Sequence, residues 1–217
     1  MKSPYDQRIK EHPEDAKAYY ERGVYFLEEP TTLDLAKKDF WRCIDLGDFI
    51  ADSYSNLALI YDMENDPSQA QVLLEKAVEA DPEHTVSWFA LGTLHSIYGN
   101  HEQALYALAR VLAIEMDFHE EDEYLEEDVS FSMEAFALRA RIYLEKNENA
   151  LALAECQASR AFDAEQNECD LLEIVALVRL NQTKEAKKLL QTLLNDEEIT
   201  LENLKEHPVF SELQEFL

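Results

Sequence analysis

Alanines recur along this chain at a fixed interval. Ala36, Ala70 and Ala104 are 34 residues apart, and so are Ala152 and Ala186. The gap between Ala104 and Ala152 is 14 residues longer and contains an acid-rich run, Asp117 to Asp128. A period near 34 is the length of one helical hairpin. Such a unit is too small to bury its apolar face unless a neighbouring copy covers it. The chain is therefore expected to stack hairpins, and a stack offers a long surface for holding other molecules rather than a pocket for chemistry.

Other features along the chain agree with that frame. In the unit that starts at Ala51, Tyr54, Leu57, Ala58 and Tyr61 share one face of a first helix, and Ala70, Leu74 and Ala77 share one face of a second. The unit that starts at Thr85 repeats this with Trp88, Leu91, Gly92 and His95, then Ala104, Leu108 and Val111. Small residues on each helix, Gly92 and Ala104, let the paired helices approach closely. Punctuation falls between the helices: Asp66-Pro67 reads as a helix start, and Gly99-Asn100 as a stop followed by a start.

These residues and offsets resemble the tetratricopeptide repeat, whose units carry a large residue, Leu-Gly, Tyr, then Ala, Phe, Ala and Pro at corresponding places. The resemblance implies an all-α solenoid superhelix of about five hairpins with short helical caps, as a single domain over residues 1–217. Its parts are an N-terminal cap at 1–15, repeats near 16–50, 51–84, 85–118, 133–166 and 167–198, an acidic insertion at 117–130, and a C-terminal cap at 199–217.

In that family the first helices line a concave groove that binds a protein segment. The matching positions include Tyr20, Val24 and Leu27, then Leu59 and Met63, then Val86, Phe89 and Ile97. Further along they include Ala137, Arg141 and Leu144, then Leu171, Val175 and Arg179. One subclass grips a terminal carboxylate with Lys, Arg and Asn. This chain has Lys17 but Val24 where that clamp places Asn, which argues against such a ligand. The groove is expected either to bind a partner or to be filled by the C-terminal cap. The functional expectation is an interaction scaffold for a protein or peptide of basic or apolar character. The alternative is a chaperone or carrier dedicated to one client's apolar segment.

Charge narrows the partner class. Forty-six acidic and nineteen basic residues give a net charge of −27. Neither a phosphate backbone nor an anionic membrane surface suits such a chain. The acidic run holds eight carboxylates in twelve residues, with Phe118, Tyr124 and Leu125 among them. It reads either as a solvated loop or acidic lengthening of the helices around it, or as a docking site in which Glu120, Glu121 and Asp122 steer a basic partner and Tyr124 anchors it. A calcium loop would need a glycine for its sharp turn, and the run has none.

The sequence contains no phosphate loop, nucleophile elbow or zinc-protease motif. His84, His95 and His101 are not spaced to share a metal on one helix face. Neither catalysis nor a cofactor or metal is expected. No apolar run is long enough to span a membrane, and Met1 to Pro13 has no apolar signal core, so a cytoplasmic location is expected. Cys43, Cys156 and Cys169 lie in different hairpins, which predicts reduced thiols too far apart to bridge.

Overall fold

A computed structural model describes residues 3–121, 130–162 and 167–195. Among the described residues all regular structure is helical: α1 (Asp6–Glu11), α2 (Ala16–Leu27), a 3₁₀ turn (Pro30–Thr32), α3 (Leu33–Leu46), α4 (Ile50–Met63), α5 (Pro67–Ala80) and α6 (Thr85–Ile97), then α7 (His101–Glu121), α8 (Ser132–Glu145), α9 (Asn149–Phe162), α10 (Asn167–Arg179) and α11 (Thr183–Asn195). The helices belong to two compact units, residues 1–98 and 99–217.

In the first unit α1 packs on α2, and each helix from α2 to α6 packs on the next. The first helices α2, α4 and α6 also neighbour one another. In the second unit each helix from α7 to α11 packs on the next, and α8 touches α10. All five periodic alanines, Ala36, Ala70, Ala104, Ala152 and Ala186, are buried. So are Gly23, Ala58, Gly92 and Ala140, the small residues of the first helices.

One backbone device recurs between consecutive helices. Asn65, Gly99, Asn147 and Asn181 each adopt a left-handed backbone, with φ of 61°, 70°, 58° and 59°. Asn65 and Gly99 are one period apart, and so are Asn147 and Asn181. Only glycine and, at modest cost, asparagine enter this region routinely. The first hairpin departs from the pattern. It turns through Pro30–Thr32, and the Thr32 hydroxyl donates to the Phe26 carbonyl at 2.6 Å. The starts of α2, α5 and α6 are capped by side chains. Asp15 accepts from the Ala18 N–H, and Asp66 accepts from the Gln69 N–H with Pro67 in the first turn. His84 caps α6 through Nδ1, which accepts from the Ser87 N–H.

Ion pairs, wholly or partly shielded from water, replace leucine at one repeat position. Leu57 and Leu91 occupy it in the second and third hairpins and are buried. Arg22 occupies it in the first, pairing with the buried Asp39 of α3 at 2.7 and 2.8 Å and with Asp6 of α1 at 3.0 Å. Arg139 occupies it in the fourth, pairing with Glu155 of α9 at 2.6 and 2.9 Å. In the fifth it is Glu173, buried and bridged at 2.6 Å to Arg160, which also pairs with Asp170. Burial pushes the Glu173 carboxyl above its usual range, and the Arg160 charge offsets this in part.

The expected separation of the three thiols is corrected by the way the hairpins stack. The thiols of Cys156 and Cys169 share a hydrogen bond, although they belong to different repeats. Hairpins stack directly, so the last helix of one repeat packs on the first helix of the next, as α9 does on α10. The hydrogen bond with the Cys169 thiol, and then burial, raise the Cys156 pKa, which leaves little of the reactive thiolate. Cys43 is also buried, donates to the Ala16 carbonyl at 3.3 Å, and is pushed up to about 11 by desolvation.

The acidic run begins on a helix. Helix α7 continues into it, as far as Glu121. Glu115 of α7 then holds the start of α8, accepting from the Ser130 hydroxyl at 2.7 Å, the Phe131 N–H at 2.9 Å and the Ser132 hydroxyl. One helix thus supplies the cap of the next, a role the sequence does not advertise. Glu115→Ala should cost about 1–3 kcal/mol by orphaning these donors. It should also speed hydrogen exchange at the Phe131 amide, and an unchanged exchange rate there would contradict the capping role.

Candidate functional site

The expected groove positions fall into two classes, one in each unit. In the first unit they form an exposed apolar row. Val24 on α2 is 42% exposed, Leu59 and Met63 on α4 are 50% and 49%, and Val86 and Ile97 on α6 are 45% and 73%. Leu27 and Phe89 are half-buried beside them. Helical spacing explains the alignment. Val24 lies three residues before Leu27, and Leu59 four before Met63, so each pair shares a face. An exposed strip of this kind on adjacent helices is unusual for a soluble surface and marks interaction sites.

Tyr20 belongs to the wall of this surface rather than to its open part. Its ring stacks on Phe49 at 4.9 Å and meets the Phe40 ring edge-on at 5.9 Å. Its hydroxyl accepts from the Asn56 amide at 3.4 Å, and desolvation raises its pKa. Phe49 adopts a left-handed backbone, with φ of 52°. A bulky residue rarely enters that region, and the stack on Tyr20 accompanies it here. No sequence motif announces this pair.

In the second unit the corresponding positions are core. Ala137, Leu144, Leu171 and Val175 are all buried. Every residue of α10 from Cys169 to Leu177 is buried, which is the mark of a helix enclosed on all sides. Arg141 is exposed. Arg179 donates to the Leu144 carbonyl at 2.8 Å, satisfying the C-terminal end of α8. The candidate surface that stays open is therefore that of α2, α4 and α6.

The acidic candidates are reached only in part. Glu120 and Glu121 lie on the last turn of α7, but their side chains, with Asp122, Tyr124 and the rest of 122–129, lie outside the described residues, as does the expected cap at 199–217. Among the described residues no cluster of three or more His, Cys, Asp or Glu could hold a metal ion. No described helix is long and apolar enough to cross a membrane.

The comparisons with known proteins address the fold. Models of the tetratricopeptide repeat match residues 51–84 and 73–106. The first of these stretches coincides with the second repeat expected from the alanine period. Sequence comparison with curated proteins gives no match. Among solved structures the chain resembles YrrB, described as a TPR protein with an unusual peptide-binding site, with a TM-score of 0.69 and 17% identity over 98% of both chains. It resembles MamA with a TM-score of 0.68 and 17% identity, over 86% of this chain and 93% of that one. It also resembles PilW, described as a type IV pilus biogenesis factor, with a TM-score of 0.67 and 17% identity over 93% and 86%. Identities this low speak to the fold alone. Together with the 34-residue alanine period, they lead to one conclusion: the chain carries tetratricopeptide repeats over residues 51–106 and has an all-α solenoid fold.

Proposed function

We propose that this protein is an interaction scaffold that binds a segment of a partner protein across α2, α4 and α6. The observation that carries this reading is the exposed row Val24, Leu59, Met63, Val86 and Ile97, set against the buried equivalents in the second unit. Exposed apolar side chains on three adjacent helices cost solubility and gain nothing in the free protein. A bound segment would remove them from water at roughly 25 cal/mol per Å² of apolar surface. A chaperone dedicated to an apolar client should be monotonously apolar here. Instead Lys17, Ser55, Asp62 and Ser96 interleave with the apolar residues, which favours recognition of a specific segment. The reading is non-catalytic and places the protein in the cytoplasm.

The paired variant Leu59→Ser/Met63→Ser provides the test. Both side chains are about half-exposed, so the melting temperature should stay within about 2 °C of wild type. The wild-type protein should retain a partner from native lysate that the variant loses. Equal capture by both would remove this face from the function.

A further inference from the structure

The apolar row does not lie in a neutral surface. Short connections make α2, α4 and α6 run in the same direction, so their C-terminal ends meet at one edge. Helix C-termini carry partial negative charge. Glu28 and Asp62 are exposed at that edge, beside Leu27 and Met63. Residues 50–98 contain eight carboxylates and, besides His84 and His95, a single Lys or Arg, Lys76. That lysine already lies over the Tyr54 ring, 5.7 Å from its centre. Lys37, from α3, is bridged to Glu64 at 2.6 Å. The only base at a lining position in this unit is Lys17, at the opposite, N-terminal end of α2.

We propose that this face takes a basic amphipathic helix of a partner protein, its apolar side on Val24, Leu59, Met63 and Ile97 and its cationic side against the Glu28–Asp62 edge. The proposal rests on the scaffold reading and adds the chemistry of the occupant. Charge decides among the candidates. Residues 196–217 have an amphipathic apolar pattern but hold seven carboxylates and one lysine, so they would set like charge against this edge. A second copy brings another net charge of −27 and meets the same repulsion. A cationic helix gains on both counts: its apolar face is buried and its charges are drawn in by long-range attraction. Three helices spaced by about 10 Å present 20–30 Å of surface, which an 18-residue helix of about 27 Å spans.

The test uses the full chain and three synthetic 18-residue peptides that share one leucine face and differ on the other, which is Lys, Gln or Glu. Titration calorimetry at about 50 mM salt should show the Lys peptide binding at least tenfold tighter than the Gln peptide, and no binding of the Glu peptide. The ratio should shrink towards one at about 1 M salt, where the Debye length is roughly 3 Å. Glu28→Gln/Asp62→Asn should shrink it at low salt while leaving the Gln peptide unaffected. Leu59→Ser/Met63→Ser should weaken both peptides. If Gln and Lys peptides bind equally well and both need Leu59 and Met63, the face stands as a docking surface and the charge assignment fails. If the Lys peptide binds the Leu59→Ser/Met63→Ser variant undiminished, the attraction is elsewhere on an acidic protein and both readings fall. If no peptide binds, or if sedimentation shows a dimer that this variant dissolves, the basic helix is overturned as occupant.

Discussion

Replacing Arg22 by methionine should destabilise the first unit by about 3–5 kcal/mol, the cost of stranding one member of a buried ion pair. Arg22 holds Asp39 through two hydrogen bonds, at 2.7 and 2.8 Å, and Asp39 is buried. Without the guanidinium the carboxylate keeps its desolvation cost and loses its compensation. The same change frees Asp6, so α1 loses an anchor to α2. A second substitution separates this account from simple loss of packing. Arg22→Met/Asp39→Leu removes both charges from a position where the next two hairpins place Leu57 and Leu91. It should recover most of the loss, because apolar residues of similar volume replace such pairs at little cost. Urea unfolding of the single and double variants makes the comparison. A double variant as unstable as Arg22→Met would show that the pair is not the source of the effect.

Gly23→Leu should cost roughly 1–3 kcal/mol or more, through overpacking. A methyl group built on Gly23 would lie 2.8, 3.0 and 3.1 Å from three atoms of the Phe40 ring. Phe40 is fully buried and cannot yield. Even Gly23→Ala sets two effects against each other. Alanine gains about 1 kcal/mol in helix propensity but meets the ring edge well inside van der Waals contact. The steric effect should win, so Gly23→Ala should be no more stable than wild type despite its better propensity. Gly23→Ala/Phe40→Leu relieves the contact and should be less destabilised than the sum of its two single changes. Additive losses across that cycle would place the clash elsewhere.

Much of the repeat frame was legible in the sequence because it is written in local terms. The alanine period marks where two helices must approach, and every one of those alanines is buried. Asp66-Pro67 and Gly99-Asn100 mark helix boundaries because capping and left-handed turns depend on a few neighbouring residues. Asn65, Asn147 and Asn181 carried the same signal, at the same 34-residue interval, and could have been read with Gly99. The candidate surface was legible as a set of positions, since helical spacing alone puts Val24 with Leu27 and Leu59 with Met63.

The tertiary structure decided what each position became. Equivalent residues are exposed on α2, α4 and α6 but buried on α8 and α10, because burial depends on what else packs against a helix and not on its own periodicity. Pairings between elements were equally hidden. Arg22 with Asp39, Glu115 with the start of α8, and Cys156 with Cys169 join residues 13 to 17 positions apart, on helices whose facing sides are fixed only once they stack. The sequence by itself determined the hairpins and their order. Packing determined which apolar face was left open, because the same strip is core where other elements cover it and exposed on α2, α4 and α6.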